Sequence, residues 1–268
     1  MKAVVRQWLD RYFIKQPRVR QLVTRTLERD EDRDVTLFGT RLHINSIKEH
    51  GYLRAFRKLG YHSALHDEAG ALVTLSLLLC PGDTFVDVGA NVGLFACTLA
   101  RRRFLSSDVR FYAFEANPDT FRRLAQSAHD LEIAVQQVAV SDVAGELEFV
   151  AGAVSHVFTE STQRNAYHFQ EQQPIRVPAQ RLDALGVEGD SLIIKIDVEG
   201  QEMKVLNGAS GLFDAGRVKA VFLDGYNDDA VVEFLARYRF SFFDGRTLRP
   251  AVPPIFSLLA VRVSPSSR

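Results

Sequence analysis

Cysteine is almost missing from this chain: Cys80 and Cys97 are the only two in 268 residues. Both lie in apolar surroundings and neither belongs to a CxxC pair, which excludes a disulfide framework and a cysteine-built zinc site. Such usage suits a reducing compartment. Net charge is missing too, with 33 Lys and Arg against 33 Asp and Glu. That balance gives no basis for generalised binding to a nucleic-acid backbone. Long apolar runs are equally scarce. The longest, "ALVTLSLLLC", is too short to span a bilayer and is stopped by Pro81 and Gly82, and the first residues hold no signal-peptide core. The expectation is a cytoplasmic protein. There is no internal repeat, and no low-complexity tract beyond the tail "SPSSR".

What remains is ordinary globular material, 46% hydrophobic and 25% charged, enough for one large domain with an extension. The extension is residues 1–66 and the domain residues 67–268. Charge is uneven only at the start, where Met1 to Arg29 carries an excess of six positive charges. Within it Val4, Val5, Trp8, Leu9, Tyr12 and Phe13 recur at helical spacing between basic residues. This predicts a basic amphipathic helix, either docked on the domain or lying peripherally on the inner face of a membrane. "VTLFGTRLHINS" predicts a hairpin turned at Gly39, and "HDEAGALVTLSLLLC" a helix.

From Thr84 onward strand-like and helix-like segments alternate, the pattern of an α/β fold with a parallel sheet covered on both faces. Seven strands are expected: 84–88, 109–114, 133–140, 192–196, 218–223, 240–243 and 256–261. The connection at 145–185 is long and polar, and such insertions are usually functional or mobile. It is expected to roof the pocket.

"FVDVGANVG", Phe85 to Gly93, ends a strand in an acid and opens a helix through two glycines. Ligands of open α/β sheets bind beyond such strand ends. Gly89 and Gly93 permit a tight turn and close backbone approach, and the helix N-terminus adds partial positive charge. A dinucleotide fingerprint fails because Asn91 and Leu94 replace its second and third glycines, and a phosphate loop fails because no Lys follows Gly93. Asp87 beside the turn suits a cationic ligand, and S-adenosylmethionine carries an ammonium and a sulfonium. Glu115, closing the next strand in "FEANP", is placed to accept hydrogen bonds from a ribose diol.

With "FVDVGANVG", "FEANP", "VAVSD" and "IIKIDVEGQEMKVLNGA" in order from about Val35 onward, the chain resembles the FkbM-type S-adenosylmethionine-dependent methyltransferases. The resemblance implies a class I, Rossmann-like methyltransferase fold and methyl transfer to oxygen, often a hydroxyl of a sugar, glycolipid or secondary metabolite. It implies that Asp87, Gly89, Ala90, Asn91 and Gly93 face the methionine half of the cofactor, with Glu68 reaching its ammonium. Glu115, Ala116 and Asn117 then face the ribose, Ser141 and Asp142 border the adenine, and Asp197 also lies at the cofactor. Asp224 departs from the glutamate usual in similar proteins.

Methyl transfer requires the acceptor's proton to leave. Asp197 and Glu199, two apart at a strand end, share a face while the strand persists, and either can accept it. His156, in the insertion, is a third candidate because histidine exchanges protons near neutral pH. Lys195 shares the face of the two acids and damps any rise in their pKa, and a divalent ion held by Asp197 and Asp224 is another route. Phe158, Tyr167, His168 and Phe169 offer an aromatic face for a sugar ring, or plain packing. An N-methyltransferase, a small-metabolite methyltransferase and a non-catalytic scaffold stand as alternatives. A base-flipping motif is absent, so nucleic acid is not an expected partner.

Overall fold

The computed structural model describes residues 28–56, 65–101, 108–150, 156–157 and 174–262. The basic segment at the N-terminus therefore lies outside the described residues, as do Phe158, Tyr167, His168 and Phe169. Alternating apolar residues fold first as a hairpin, β1 (Asp32–Leu37) and β2 (Thr40–Asn45). Phe38 and Gly39 at its turn both have positive φ, 50° and 76°, the conformation that lets a two-residue turn match strand twist. The inward side chains Val35, Leu42 and Ile44 join the same core as Phe85, Phe95 and Leu124 of the domain. Leu42 and Ile44 are fully buried, which stabilises the docked hairpin by about 1.5–3 kcal/mol each.

Helices α1 (His50–Phe56) and α2 (Leu65–Leu78) lead into the sheet. Its first half is β3 (Thr84–Val88), α3 (Leu94–Arg101), β4 (Arg110–Glu115), α4 (Pro118–Ala128) and β5 (Ile133–Gln137). The chain then leaves the sheet through β6 (Ala139–Val140), β7 (Gly145–Val150), β8 (His156–Val157) and β9 (Ile175–Gln180). It returns through β10 (Leu192–Ile196), α5 (Glu202–Gly208), α6 (Ser210–Asp214), β11 (Val218–Asp224), α7 (Ala230–Arg237), β12 (Phe240–Asp244) and β13 (Ser257–Arg262). The central sheet has seven strands in the order β12-β13-β11-β10-β3-β4-β5, with β13 antiparallel to both its neighbours and the pairs from β11 to β5 all parallel. This is the expected mostly parallel α/β sheet. Strand alternation divides its core in two: Phe85, Phe111, Ile193 and Phe222 face one side, and Val86, Phe114, Ile194 and Val221 the other.

One expectation needs correction. The third strand does not run unbroken over 133–140. Val138 donates its N–H to the Glu115 carbonyl at 3.1 Å, and β6 beyond it pairs with β9 instead of β4. Strands β7, β8 and β9 of the connection at 145–185 join β6, which precedes it, in a second, four-stranded sheet, whose small core of Phe149, Val177 and Ala179 packs on Ala116. The described part of the connection thus stands beside the exit of β4.

Candidate active site

The topology puts β3 between β10 and β4, where successive crossovers go to opposite sides, the place at which open α/β sheets bind ligands. Asp87 shares the face of Phe85 and exposes no surface. Directly across on β10 is Lys195, whose ammonium lies 3.2 Å from the Asp87 carboxylate. The same ammonium donates to the Gly89 carbonyl at 3.0 Å and to Asp197 at 3.4 Å. It also stands 5.3 Å from the centre of the Phe95 ring. Burial works against this charge, but Asp87 and Asp197 hold the lysine pKa above its ordinary value. The other Asp87 oxygen accepts from the Ala96 N–H in α3 at 3.2 Å. Asp87 is therefore the buried counter-ion that seats the turn on β10 and α3.

Backbone closes in on the first glycine of the turn and side chains on the second. Gly89 has φ +73°, and a Cβ there would lie 1.9 Å from the Asp197 carbonyl oxygen. Gly93 has φ +90°, and a Cβ would meet Cys97 Sγ and Leu124 Cδ1 at 2.8 Å each. The chain itself fills the space beside both. Between them Ala90 is buried, with its N–H on the Phe114 carbonyl at 3.0 Å, while Asn91 is exposed in the left-handed region at φ 52°.

Glu115 ends β4 with a buried carboxylate. One oxygen accepts the Asn91 N–H and the other the Asn117 N–H, both at 2.9 Å. Burial still pushes this carboxyl up to about 7, against those two hydrogen bonds and the nearby Lys195 charge. Asn117 caps α4, its side chain accepting from the Asp119 and Thr120 N–H groups, with Pro118 following. Ala116 is half-buried between them.

Ser141 and Asp142 follow β6. Ser141 is buried and donates its hydroxyl to Asp142 at 3.1 Å. Their loop is clamped by Arg181, which donates to the Asp142 carbonyl, the Asn207 carbonyl and Ser210 Oγ, and pairs with Asp183 at 2.6 Å. On the other side Gly208 fits flush: a Cβ there would sit 2.0 Å from the Ser141 carbonyl oxygen. That close approach is the reason for the glycine in "VLNGA". Gly208→Ala should lower stability by about 1–3 kcal/mol through overpacking, read as a fall in melting temperature; an unchanged melting temperature would disprove the contact.

The tip of β10 carries the acids. The strand ends at Ile196, so period-two alternation does not extend to Glu199, which instead has φ 50° ahead of Gly200 at φ 88°. Asp197 is half-buried and held to Lys195, whereas Glu199 is exposed. Partial loss of water, with the charges of Asp197, Glu202 and Asp224, holds the Glu199 carboxyl above its ordinary value. Glu202 is buried and accepts the Gly200 N–H at 2.8 Å. Asp224 is half-buried at the end of β11, next but one to Lys195's own strand neighbour Phe222.

Of the other expected residues, the backbone of His156 pairs with Val150 in β8, and Glu68 lies half-buried in α2. Tyr52 of α1 was not expected here. Burial raises its phenol pKa, with Glu68, Asp197, Asp87 and Glu49 as the charges around it. Nothing in the sequence of α1 signals this placement, which follows from the docking of the hairpin. Among the described residues no group of three or more His, Cys, Asp and Glu is gathered to hold a metal ion.

Comparison with known proteins places these residues in a family. The model of the methyltransferase FkbM domain matches residues 87–242, more than half of the chain. The hexuronic acid methyltransferase AglP of Haloferax volcanii is 29% identical over 133 residues, covering 47% of this chain and 49% of that protein. The alignment thus spans about half the length of this curated relative. Among solved structures, magnesium protoporphyrin IX methyltransferase from Synechocystis PCC 6803 is 15% identical, with a TM-score of 0.42 over 81% of this chain and 97% of that one. Precorrin-6y C5,15-methyltransferase from Geobacter metallireducens is also 15% identical, with a TM-score of 0.39 over 77% and 92%.

Proposed function

Because the chain belongs to the FkbM family of S-adenosylmethionine-dependent methyltransferases, we propose that it methylates a hydroxyl oxygen of a sugar or sugar-bearing acceptor, with Glu199 as the proton acceptor. The cofactor is S-adenosylmethionine, which when bound supplies an electrophilic methyl group on a sulfonium. Glu115 fits its ribose: two backbone N–H groups do not offset the lost hydration of this carboxylate, as its raised pKa reports, and each oxygen keeps a second lone pair for a diol hydroxyl. The turn at Gly89 to Asn91, with Asp87 and Lys195 beneath it, forms the floor for the methionine half. Ser141 and Asp142, held by Arg181 and Gly208, border the adenine.

The observation that carries the assignment of the base is the backbone of Glu199. A non-glycine residue in the left-handed region costs energy and persists where surrounding structure demands it, commonly at functional sites. Glu199 is held this way, and its carboxyl is raised by partial loss of water and then by the charges of Asp197, Glu202 and Asp224, the direction that suits a general base. Asp197, anchored by Lys195, orients the acceptor. Glu202 is committed to the Gly200 N–H. Four carboxylates around one tip favour a neutral hydroxyl that donates hydrogen bonds over an anionic carboxylate acceptor. The AglP likeness supports a sugar.

Neutral hexosides and a hexuronic acid, offered with S-adenosylmethionine, separate the outcomes by product: an ether from a hydroxyl, an ester from a carboxylate. Glu199→Gln should retain S-adenosylhomocysteine binding while turnover falls on the order of a hundredfold, the low end for a general base, since Asp197 and Asp224 remain nearby. Wild-type turnover in Glu199→Gln, or an ester product, would refute the proposed base and acceptor.

A further inference from the structure

Phe256 stands immediately before β13 with 64% of its surface exposed. A single exposed apolar side chain needs no explanation, and Val252, at 89%, is such a case. Phe256 differs in what holds it and in what it stands beside. Ser257 pairs with Asp224, so Phe256 falls opposite Gly225, whose N–H donates to the Phe256 carbonyl at 2.9 Å. The Ile255 N–H donates to the Tyr226 hydroxyl at 3.3 Å, and the Gly245 N–H to the Ser257 carbonyl at 2.8 Å. The backbone is thus fastened at the residue itself and on both sides of it, while the ring stays largely uncovered. Ring carbons Cε2 and Cζ lie over Gly225, 3.7 and 3.9 Å from the position a Cβ would take there.

Gly225 directly follows Asp224, one of the charges that act on Glu199. The loop after β11 also meets the loop after β10: Asn227 Nδ2 lies 3.8 Å from where Gly200 would carry a Cβ. Glu199, Gly200, Asn227, Gly225 and the Phe256 ring therefore follow one another across the ends of the two strands. Asn227 and the two acids after it, Asp228 and Asp229, are exposed. The surroundings of Glu199 thus offer one aromatic ring, one amide and several carboxylates. A sugar has the complementary chemistry. Hydroxyls around its edge donate to carboxylates, and its face of aliphatic C–H groups, weakly positive, suits the negative face of an aromatic ring. A phosphate or carboxylate on the acceptor would be repelled by the same acids.

We propose that Phe256 is the stacking platform for the acceptor sugar, holding its C–H face while the hydroxyl to be methylated reaches Glu199. The inference rests on the proposed methylation of a sugar hydroxyl and adds the side chain that orients that sugar. The full chain, with S-adenosylhomocysteine present, is mixed with neutral methyl hexosides or with their 2-amino counterparts, and saturation transfer is followed from the aromatic protons of the protein. Wild type should pass saturation to the ring C–H protons of a neutral hexoside. Phe256→Leu keeps an apolar side chain of similar bulk without the ring, and should lose most of the transfer and bind about tenfold more weakly. Phe256→Tyr should restore both. In turnover with the same hexoside Phe256→Leu should raise KM about tenfold and leave kcat nearly unchanged, since the stack is made equally before and during transfer. Val252→Ser removes another exposed apolar side chain of the same connection and should match wild type in every assay.

Saturation transfer that survives in Phe256→Leu, or a KM that does not move, overturns the platform and leaves the methylation of a sugar standing. Binding of the amino sugars alone also overturns it, because the carboxylates and not the ring would then select the ligand. S-adenosylhomocysteine binding, measured on the same preparations, is expected in every variant. A wild type that binds S-adenosylhomocysteine but neither binds nor methylates any hexoside would bring down the sugar acceptor itself, and the platform with it.

Discussion

Lys195→Met should lower folding stability by about 3–5 kcal/mol, the cost of leaving one partner of a buried ion pair behind. The methionine fills nearly the same volume and keeps the contact with Phe95, so lost packing is a small part of the effect. What remains is Asp87, with no exposed surface and only the Ala96 N–H at hydrogen-bond distance on its other oxygen. The sign of the pH dependence follows. Burial raises the Asp87 carboxyl, and without Lys195 nothing comparable opposes it. A carboxyl whose folded pKa lies above its unfolded value favours the folded state fully below the unfolded pKa and loses that contribution as pH rises through the folded one. The deficit of Lys195→Met should therefore be larger at pH 8 than at pH 5 in chemical denaturation.

Adding Asp87→Leu to Lys195→Met should recover most of the stability, because an apolar pair replaces the ion pair. It should not recover cofactor affinity, since the tether from Lys195 to the Gly89 carbonyl and to Asp197 is gone. A single variant within 1 kcal/mol of wild type would mean that the pair is a weak one. Full recovery of S-adenosylhomocysteine binding in the double variant would mean that the tether does nothing for the site. An acid at the end of β3 is explained by folding alone, so its presence does not separate an enzyme from a scaffold, and Glu199 has to carry that distinction.

The strands were legible because their apolar runs are continuous where the sheet is buried on both faces, as in "FVDVG" and "LIIKI". The break at Val138 was not, because "IAVQQVAV" keeps its β character through the point where the backbone changes sheets. Only the hydrogen bond to the Glu115 carbonyl marks it. The small sheet of the insertion was hidden for a different reason. Leu147 and Phe149 alternate with glutamates, and Ile175, Val177 and Ala179 with polar residues and proline, but each run is short and its partner is distant in sequence. At the site, residue types were readable and their partners were not. The glycines of the turn pointed to close approach, yet what approaches Gly89 is Asp197, more than a hundred residues later. Lys195 lies opposite Asp87 only because β10 returns beside β3, a choice of neighbour that local pattern does not encode.

Glu115→Gln should weaken S-adenosylhomocysteine binding on the order of a hundredfold to ten-thousandfold, the combined loss of two charge-assisted hydrogen bonds at about 1.5–3 kcal/mol each. The substitution is nearly isosteric, but the amide NH2 must face either Asn91 or Asn117, both of which present N–H groups to the native carboxylate. Wild-type affinity should in addition depend on pH in a way the variant does not. Burial pushes the free carboxyl up to about 7, opposed by the Asn117 and Asn91 N–H groups and by Lys195, and reinforced by Asp87. In the free protein this raised pKa contributes stability that is fully present below the unfolded value of 4.5 and is lost as pH rises through about 7. Two hydroxyls donating to the carboxylate favour its charged form, so binding lowers the pKa and expels a proton. Affinity should then fall about tenfold for each pH unit below 7 and level off above it. Calorimetry near pH 6.5 in buffers of different ionisation enthalpy should detect the released proton in wild type and none in Glu115→Gln. Binding with no buffer dependence, and equal affinity at pH 6 and pH 8, would remove Glu115 from contact with the cofactor and leave it as the brace between Asn91 and the cap of α4.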